Sequence, residues 1–310
     1  MERLKILFIT KDQSQQLDKN SHYLANELKK QCELMYWTSG GHILKIMDQF
    51  QQRPDFILLN DCFEPPLCPI IDGLNEVRIP KGMIFHDISN KIQARKLYVV
   101  NAKIDYIFTH YRDAFIKWFP PLRSLMIWFP HHVNTNVFKD YNLGKSIDML
   151  LMGAISPRLY PLRTYMLNTL KNSHGFVYYP HPGYDNEKRE NSFVGKEYAM
   201  KINQAKIFFT CNSVYQYPLM KYFEVLASKT LLLAPLTKEL NELGFKDGLN
   251  CVDINRTNFA DKATYYLKNN EEREAIIQNG YDMVRNNHST EIRVKQLLEK
   301  IRELITNHSY

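Results

Sequence analysis

Residues Asn212 to Pro235 read NSVYQYPLMKYFEVLASKTLLLAP, and the fold is decided by how this stretch is parsed. Pro218 suits the first turn of a helix, where a missing N–H costs no hydrogen bond. Leu219, Phe223, Leu226 and Ala227 then recur at helical spacing as a core-facing stripe, while Lys221, Glu224 and Ser228 fall together on the other face. Thr230 to Ala234 is a continuous apolar run, as is KIFFT from Lys206 to Thr210, and such runs mark strands covered on both sides. The order is strand, loop, helix, strand. In open α/β sheets ligands bind beyond the carboxyl ends of the strands, where a helix N-terminus offers free N–H groups and a positive dipole end to an anion. The loop from Asn212 to Tyr217 occupies that place, so Asn212, Ser213, Tyr217, Lys221 and Glu224 are candidate contacts for a phosphorylated ligand. The competing reading makes Lys221 and Glu224 an exposed i, i+3 ion pair worth a few tenths of a kcal/mol.

Outward from this stretch the second half repeats the design. Asp148 to Ile155 is its first strand, and a helix from about Tyr160 to Leu170 places Arg163 at its start, where it can reach a diphosphate. Gly175 to Tyr179 is a strand leading into PHPGY, Pro180 to Tyr184. His181 in that turn is a candidate donor to a phosphate or base, against the plainer reading of a structural turn histidine. Val194 to Ala205 is amphipathic; a helix near Thr237 to Leu243, a strand at Asn250 to Ile254 and three helical segments complete the chain. The first half alternates strands at Lys5–Thr10, Glu33–Thr38, Asp55–Asn60, Gly82–His86, Asp105–His110 and Leu125–Trp128 with helical patterns, which predicts a parallel sheet with right-handed crossovers. The loop after the first strand has no glycine, which argues against a classical NAD or FAD site. FHDIS, Phe85 to Ser89, sets His86 and Asp87 just past a strand as catalytic candidates; His110, Asp12 and Asp61 are weaker ones with capping or turn readings. The polar, turn-rich segment Phe129 to Asp148 marks the boundary. The expected domains are 1–135 and 136–290, with a C-terminal helix, 291–310, packing back on the first.

A chain of 310 residues with 45% hydrophobic content buries substantial cores and favours two domains over one. No apolar run approaches the ~18 residues that span a bilayer, and MERLKILFIT enters a strand with no signal-peptide pattern, so a cytoplasmic location is expected. Cys32, Cys62, Cys68, Cys211 and Cys251 are odd in number and scattered, supporting neither a disulfide framework nor a zinc site. The net charge of +7 is spread along the chain, a pattern of solvation more than a nucleic-acid footprint, and it also suits anionic ligands or peripheral contact with a membrane surface.

The central stretch resembles the nucleotide-binding segment of group-1 type glycosyltransferases, which have two Rossmann-like domains, and among them the spore-maturation glycosyltransferases. Their (R/K)-x-F-E-x-(L/M)-A pattern reads here Lys221, Phe223, Glu224, Leu226, Ala227. Gln216 stands where the larger family often has a second Glu, and Ser228-Lys229 replaces the usual Ala/Cys-Gly. Pro130 to Phe138 resembles the family's P-x-G-V-D-x-x-x-F, with His132 for Gly and Asn134 for Asp, and KDGLNCVDI with Asn269 to Ser289 resembles its tail. The resemblance runs from about Phe129 to His308 and implies an α/β fold of GT-B type, two facing Rossmann-like domains with a ligand cleft between them. It implies that Glu224 holds the donor ribose, that His86 or Asp87 contacts the sugar or acceptor, and that the anomeric configuration is retained. The expected function is transfer of a sugar from a nucleotide-diphosphate sugar to a glycan, lipid-linked or protein acceptor. No cofactor is expected beyond the donor substrate. No D-x-D occurs, which fits a leaving group stabilised by Arg163, Lys221 and the helix N-terminus without a bound divalent metal. The alternative is a non-catalytic sugar- or nucleotide-binding protein on the same fold.

Overall fold

The structure, a computed structural model, describes residues 3–64, 67–183 and 193–308; Tyr184 of the PHPGY turn lies outside them. The chain forms two units, Met1–Pro130 with Thr290–Tyr310, and His131–Ser289.

The first unit runs β1 (Lys5–Ile9), α1 (Asn20–Gln31), β2 (Glu33–Trp37), β3 (Gly41–His42), α2 (Ile43–Met47), β4 (Phe56–Leu59), β5 (Ile71–Asp72), β6 (Lys81–Phe85), α3 (Ile92–Asn101), β7 (Tyr106–Thr109), α4 (Arg112–Trp118) and β8 (Met126–Trp128). Six strands make one parallel sheet in the order β2-β1-β4-β6-β7-β8, and β3 with β5 forms a small parallel pair. β4 and β6 are buried along their whole length because helices cover both faces.

The second unit runs β9 (Ile147–Met152), α5 (Pro161–Leu170), β10 (Phe176–Tyr179), α6 (Gly195–Asn203), β11 (Ala205–Phe209), α7 (Met220–Ala227), β12 (Leu231–Ala234), α8 (Lys238–Glu242), β13 (Val252–Asp253), α9 (Phe259–Lys268) and α10 (Asn270–His288). Its parallel sheet is ordered β10-β9-β11-β12-β13. The last helix, α11 (Thr290–His308), returns to the first unit, where Val294, Leu298 and Ile301 pack with Leu24 and Leu28 of α1 over Ile6, Phe8 and Phe108.

In both sheets the chain starts in the middle, steps one strand outward, then crosses back over the first strand. That reversal, β1 beside β4 and β9 beside β11, opens a crevice at the carboxyl ends of the two strands, the place where doubly wound sheets bind ligands.

Two expectations for the central stretch are corrected. The helix begins at Met220 with Leu219 as an extended cap residue, so Pro218 precedes the helix and is not in its first turn. Its polar face is not exposed either: Glu224 and Ser228 are buried with Tyr222 to Ala227, because α7 is enclosed by α6, α10 and β12. An exposed Lys221–Glu224 ion pair is therefore excluded.

Beneath the first crevice, Arg95 of α3 donates through Nη1 to both oxygens of Asp61 at 2.8 Å, and both side chains are fully buried. Burial pushes the Asp61 carboxyl up while the Arg95 charge, with the N–H groups of His86 and Phe63, pulls it back. Removing one partner strands the other charge in the core. Arg95→Met is expected to cost about 3–5 kcal/mol of stability, read from the urea midpoint at constant slope. A change under about 1 kcal/mol would show that the carboxylate has other compensation.

Candidate functional site

In the second unit the crevice lies past β9, which ends at Met152 and is followed by Gly153, and past β11, which is followed by Thr210 and Cys211. Arg163 enters from the first turn of α5, as its position in YPLR predicts, and is only 2% exposed. Its Nη1 donates to Ala154 O at 3.0 Å, Nη2 lies 3.5 Å from Thr210 Oγ1, and the guanidinium sits over the Tyr160 ring at 4.1 Å. Its Nε is buried and meets no hydrogen-bond partner among the described residues. Lys221 enters from α7; its Nζ donates to the Tyr198 hydroxyl at 3.1 Å, and that hydroxyl lies 3.4 Å from Glu224 Oε2. Burial brings the Lys221 ammonium down to about 8, with Glu224 opposing and Arg163 reinforcing the fall.

Gly153 brings these two cations to one place. A Cβ there would stand 3.2 Å from Lys221 Cε and 3.3 Å from Arg163 Nη1, and its φ of +130° is one L side chains rarely adopt. His181 is held beside the same pair: Gly183 N–H donates to its Nδ1 at 3.0 Å, leaving Nε2–H as the donor of the neutral ring. Burial, then Lys221 and Arg163, lower its pKa. Two clustered cations beside an imidazole donor suit a dianion such as a diphosphate. Gly153→Ala is expected to lower nucleoside diphosphate affinity about tenfold, since strain near 1.4 kcal/mol suffices, measured by calorimetric titration. Unchanged affinity would mean the close approach is dispensable.

The loop candidates are held by their own turn. Ser213 Oγ accepts from Tyr215 N–H at 3.2 Å and Ser213 O from Gln216 N–H at 2.8 Å, with Gln216 in the left-handed region. Tyr217 is buried against Tyr215, and Asn212 is half-buried.

In the first unit the crevice gathers Thr10, Asn60, Asp61, His86 and His110 at four strand ends. His86 Nε2 meets Asn60 Oδ1 at 2.7 Å, its backbone N–H donates to Asp61 Oδ2 at 2.9 Å, and its ring is edge-on to His110 at 5.0 Å. Burial and the Arg95 charge hold His86 down at about 4, so the ring is neutral. Asp87 is exposed and closes a turn, its Oδ1 accepting from Ser89 N–H at 3.0 Å and Oγ at 2.7 Å. Asp12 does the same for Ser14, and His110 is fully enclosed, its Nδ1 at 2.7 Å from Phe129 O and its pKa pushed to about 3 by burial.

Sequence reading missed Asn60, Arg95, Gly153 and Tyr198. Asn60 carried a legible signal, a polar residue ending the buried run FILL; Tyr198 carried none, because it lies 23 residues from Lys221 along the chain.

Residues 163–299 match the family model of glycosyl transferase-like proteins, a match that begins at Arg163 and takes in the whole central stretch. A glycosyltransferase from Rickettsia africae superposes at TM-score 0.65, with 12% identity over 99% of this chain and all of that one. HepE of Anabaena, solved in complex with UDP-glucose, superposes at 0.66 with 11% identity over 97% of this chain and all of that one. Sucrose-phosphate synthase of Thermosynechococcus elongatus does so at 0.60 with 12% identity, over 86% and 79%. No curated protein matches in sequence. The fold is the GT-B type, and the matched segment carries Arg163, His181, Tyr198 and Lys221 of the cationic crevice.

Proposed function

We propose that the protein moves a sugar from a nucleoside-diphosphate sugar to a hydroxyl acceptor, with the donor held by the second unit and with retention of anomeric configuration. One observation carries this reading: Arg163 and Lys221 converge at Gly153, at the switch point of the second sheet, where a diphosphate leaving group gathers negative charge as the glycosidic bond breaks. Glu224, buried beside Tyr198, is the carboxylate for the donor ribose, and His181 adds an N–H to the phosphates. The pattern around Lys221 and Phe223 is of the group-1 type, akin to the spore-maturation enzymes.

Because two protein cations supply the positive charge, turnover is expected to persist in EDTA; complete loss restored by manganese or magnesium would overturn that part. A thermal-shift panel of nucleotides and nucleotide sugars tests the whole. A true donor at 100 times its dissociation constant adds about 2.7 kcal/mol, and a protein stabilised by no member of the panel is not a nucleotide-sugar enzyme. The first-formed product, read by NMR at the anomeric proton, decides retention. HepE was crystallised with UDP-glucose, so that compound heads the panel.

A further inference from the structure

Asn60 closes β4 with its side chain wholly buried, and each of its hydrogen-bonding positions is taken. Nδ2 donates to Thr10 Oγ1 at 3.0 Å and to Ser21 Oγ at 2.9 Å. Oδ1 accepts from the backbone N–H of Asp61 at 3.0 Å and meets His86 Nε2 at 2.7 Å. The Asp61 N–H is a donor and nothing else, which assigns the oxygen and nitrogen of the amide. Thr10 agrees, since its own hydroxyl donates to Leu67 O at 2.9 Å and so accepts from Nδ2. An amide oxygen only accepts. His86 Nε2 must therefore carry the ring proton, which leaves the lone pair on Nδ1, an atom with no hydrogen-bond partner among the described residues.

The charged groups around the ring keep it that way. The Asp61 carboxylate is turned to the His86 backbone and to Arg95 of α3. Asp87 is engaged with Ser89, and His110, at the end of β7, has its Nδ1 on Phe129 O. No carboxylate among the described residues contacts the imidazole, and Arg95 opposes its protonation.

We propose that Asn60 is a positioning residue that locks His86 as the Nε2–H tautomer, so that Nδ1 accepts a hydrogen bond from a carbohydrate hydroxyl and cannot serve a phosphate or other oxyanion. The substrate class rests on the glycosyltransferase reading; the tautomer rests on the hydrogen-bond network alone. The alternative tautomer would turn a lone pair against the Oδ1 lone pairs.

The test is long-range ¹H–¹⁵N NMR of the ¹⁵N-labelled full chain. The expected spectrum shows His86 protonated at Nε2, with no titration between pH 8 and about 5, because its pKa is held at about 4. A proton on Nδ1, or titration near the ordinary imidazole value, overturns the proposal. Addition of UDP-glucose, UDP or inorganic pyrophosphate then tells the source of the hydroxyl. A response of Nδ1 to UDP-glucose alone assigns it to the donor sugar, and none to any of the three assigns it to the acceptor. A response to pyrophosphate overturns the hydroxyl assignment.

Asn60→Asp keeps an acceptor opposite Nε2 but adds a negative charge, which favours the imidazolium. The His86 ionisation is expected to rise by about one pH unit or more, and the turnover profile to gain an acid limb, while nucleotide affinity stays within about twofold. A profile superimposable on the wild type would leave Asn60 a purely structural residue. Failure of the transferase reading shows instead as absent turnover with the Nε2–H tautomer intact.

Discussion

Lys221→Met is expected to lower nucleoside diphosphate affinity at least about 100-fold while leaving the free protein as stable as the wild type or more so. Lys221 is partly buried, and its neighbours repel as well as attract: Arg163 stands across Gly153, and Glu224 is reached through Tyr198. The cation is therefore held at a cost, which a bound diphosphate is expected to relieve. Truncating a buried charge that binds an opposite charge commonly costs 2–5 kcal/mol of binding, and each 1.4 kcal/mol is about tenfold. Replacing the charge by an apolar chain of similar volume removes the desolvation penalty, so melting temperature should not fall. Titration calorimetry and scanning calorimetry on the same preparation decide it. Affinity within about threefold of the wild type would remove Lys221 from the site.

The same residue sets a pH dependence. With its pKa brought from 10.5 to about 8, the unfolded chain binds more protons than the folded one between those values. The free protein thus gains stability as pH rises from about 8 to 10.5, and the gain is absent in Lys221→Met. Nucleotide binding runs the other way. It is expected to need the ammonium and to weaken as pH rises through about 8.

His86→Ala is expected to reduce turnover and its specificity constant together, about 10²-fold or more, with nucleotide affinity unmoved. The cations proposed to bind the diphosphate belong to the second unit, whereas His86 belongs to the first. Its ring is neutral, oriented by Asn60 and half-buried at a strand end. A contact made only in the transition state affects turnover without affecting ground-state nucleotide binding. Stability should change little, because Asp61 keeps the backbone N–H of residue 86 and the Arg95 pair. Near-normal turnover would make His86 structural; loss of nucleotide binding would place the donor on the first unit. Asp87→Ala serves as the contrast. Its carboxylate is occupied by the Ser89 turn, so its removal is expected to have the smaller effect.

Alternation of apolar strand runs with helical spacing was enough to establish the α/β class, because a strand buried on both faces and an amphipathic helix leave different periods in the sequence. Most strand ends were legible to within a residue or two: Lys206 to Thr210 is β11 at Ala205–Phe209, and Thr230 to Ala234 is β12 at Leu231–Ala234, whereas β9 ends at Met152, three residues before the expected Ile155. Arg163 at the start of α5 was legible for the same reason, since a helix start beyond a parallel strand lies at the carboxyl edge of the sheet. The burial of Glu224 was not. A helix enclosed on several sides keeps a two-faced pattern when one of its faces is buried with polar partners, and the sequence does not state that α6 supplies Tyr198 to that face.

Residue types and local periods thus carry the elements, their order and the strand-end positions where chemistry collects, because those follow from interactions a few residues apart. Only the tertiary structure adds Gly153 and Tyr198 to the crevice of Arg163, His181 and Lys221 and sets Arg95 under Asp61. The tautomer of His86 belongs with these. It depends on Asn60, 26 residues away, and on Thr10 and Ser21 further still, and hydrogen-bond direction across such separations leaves no trace in local pattern.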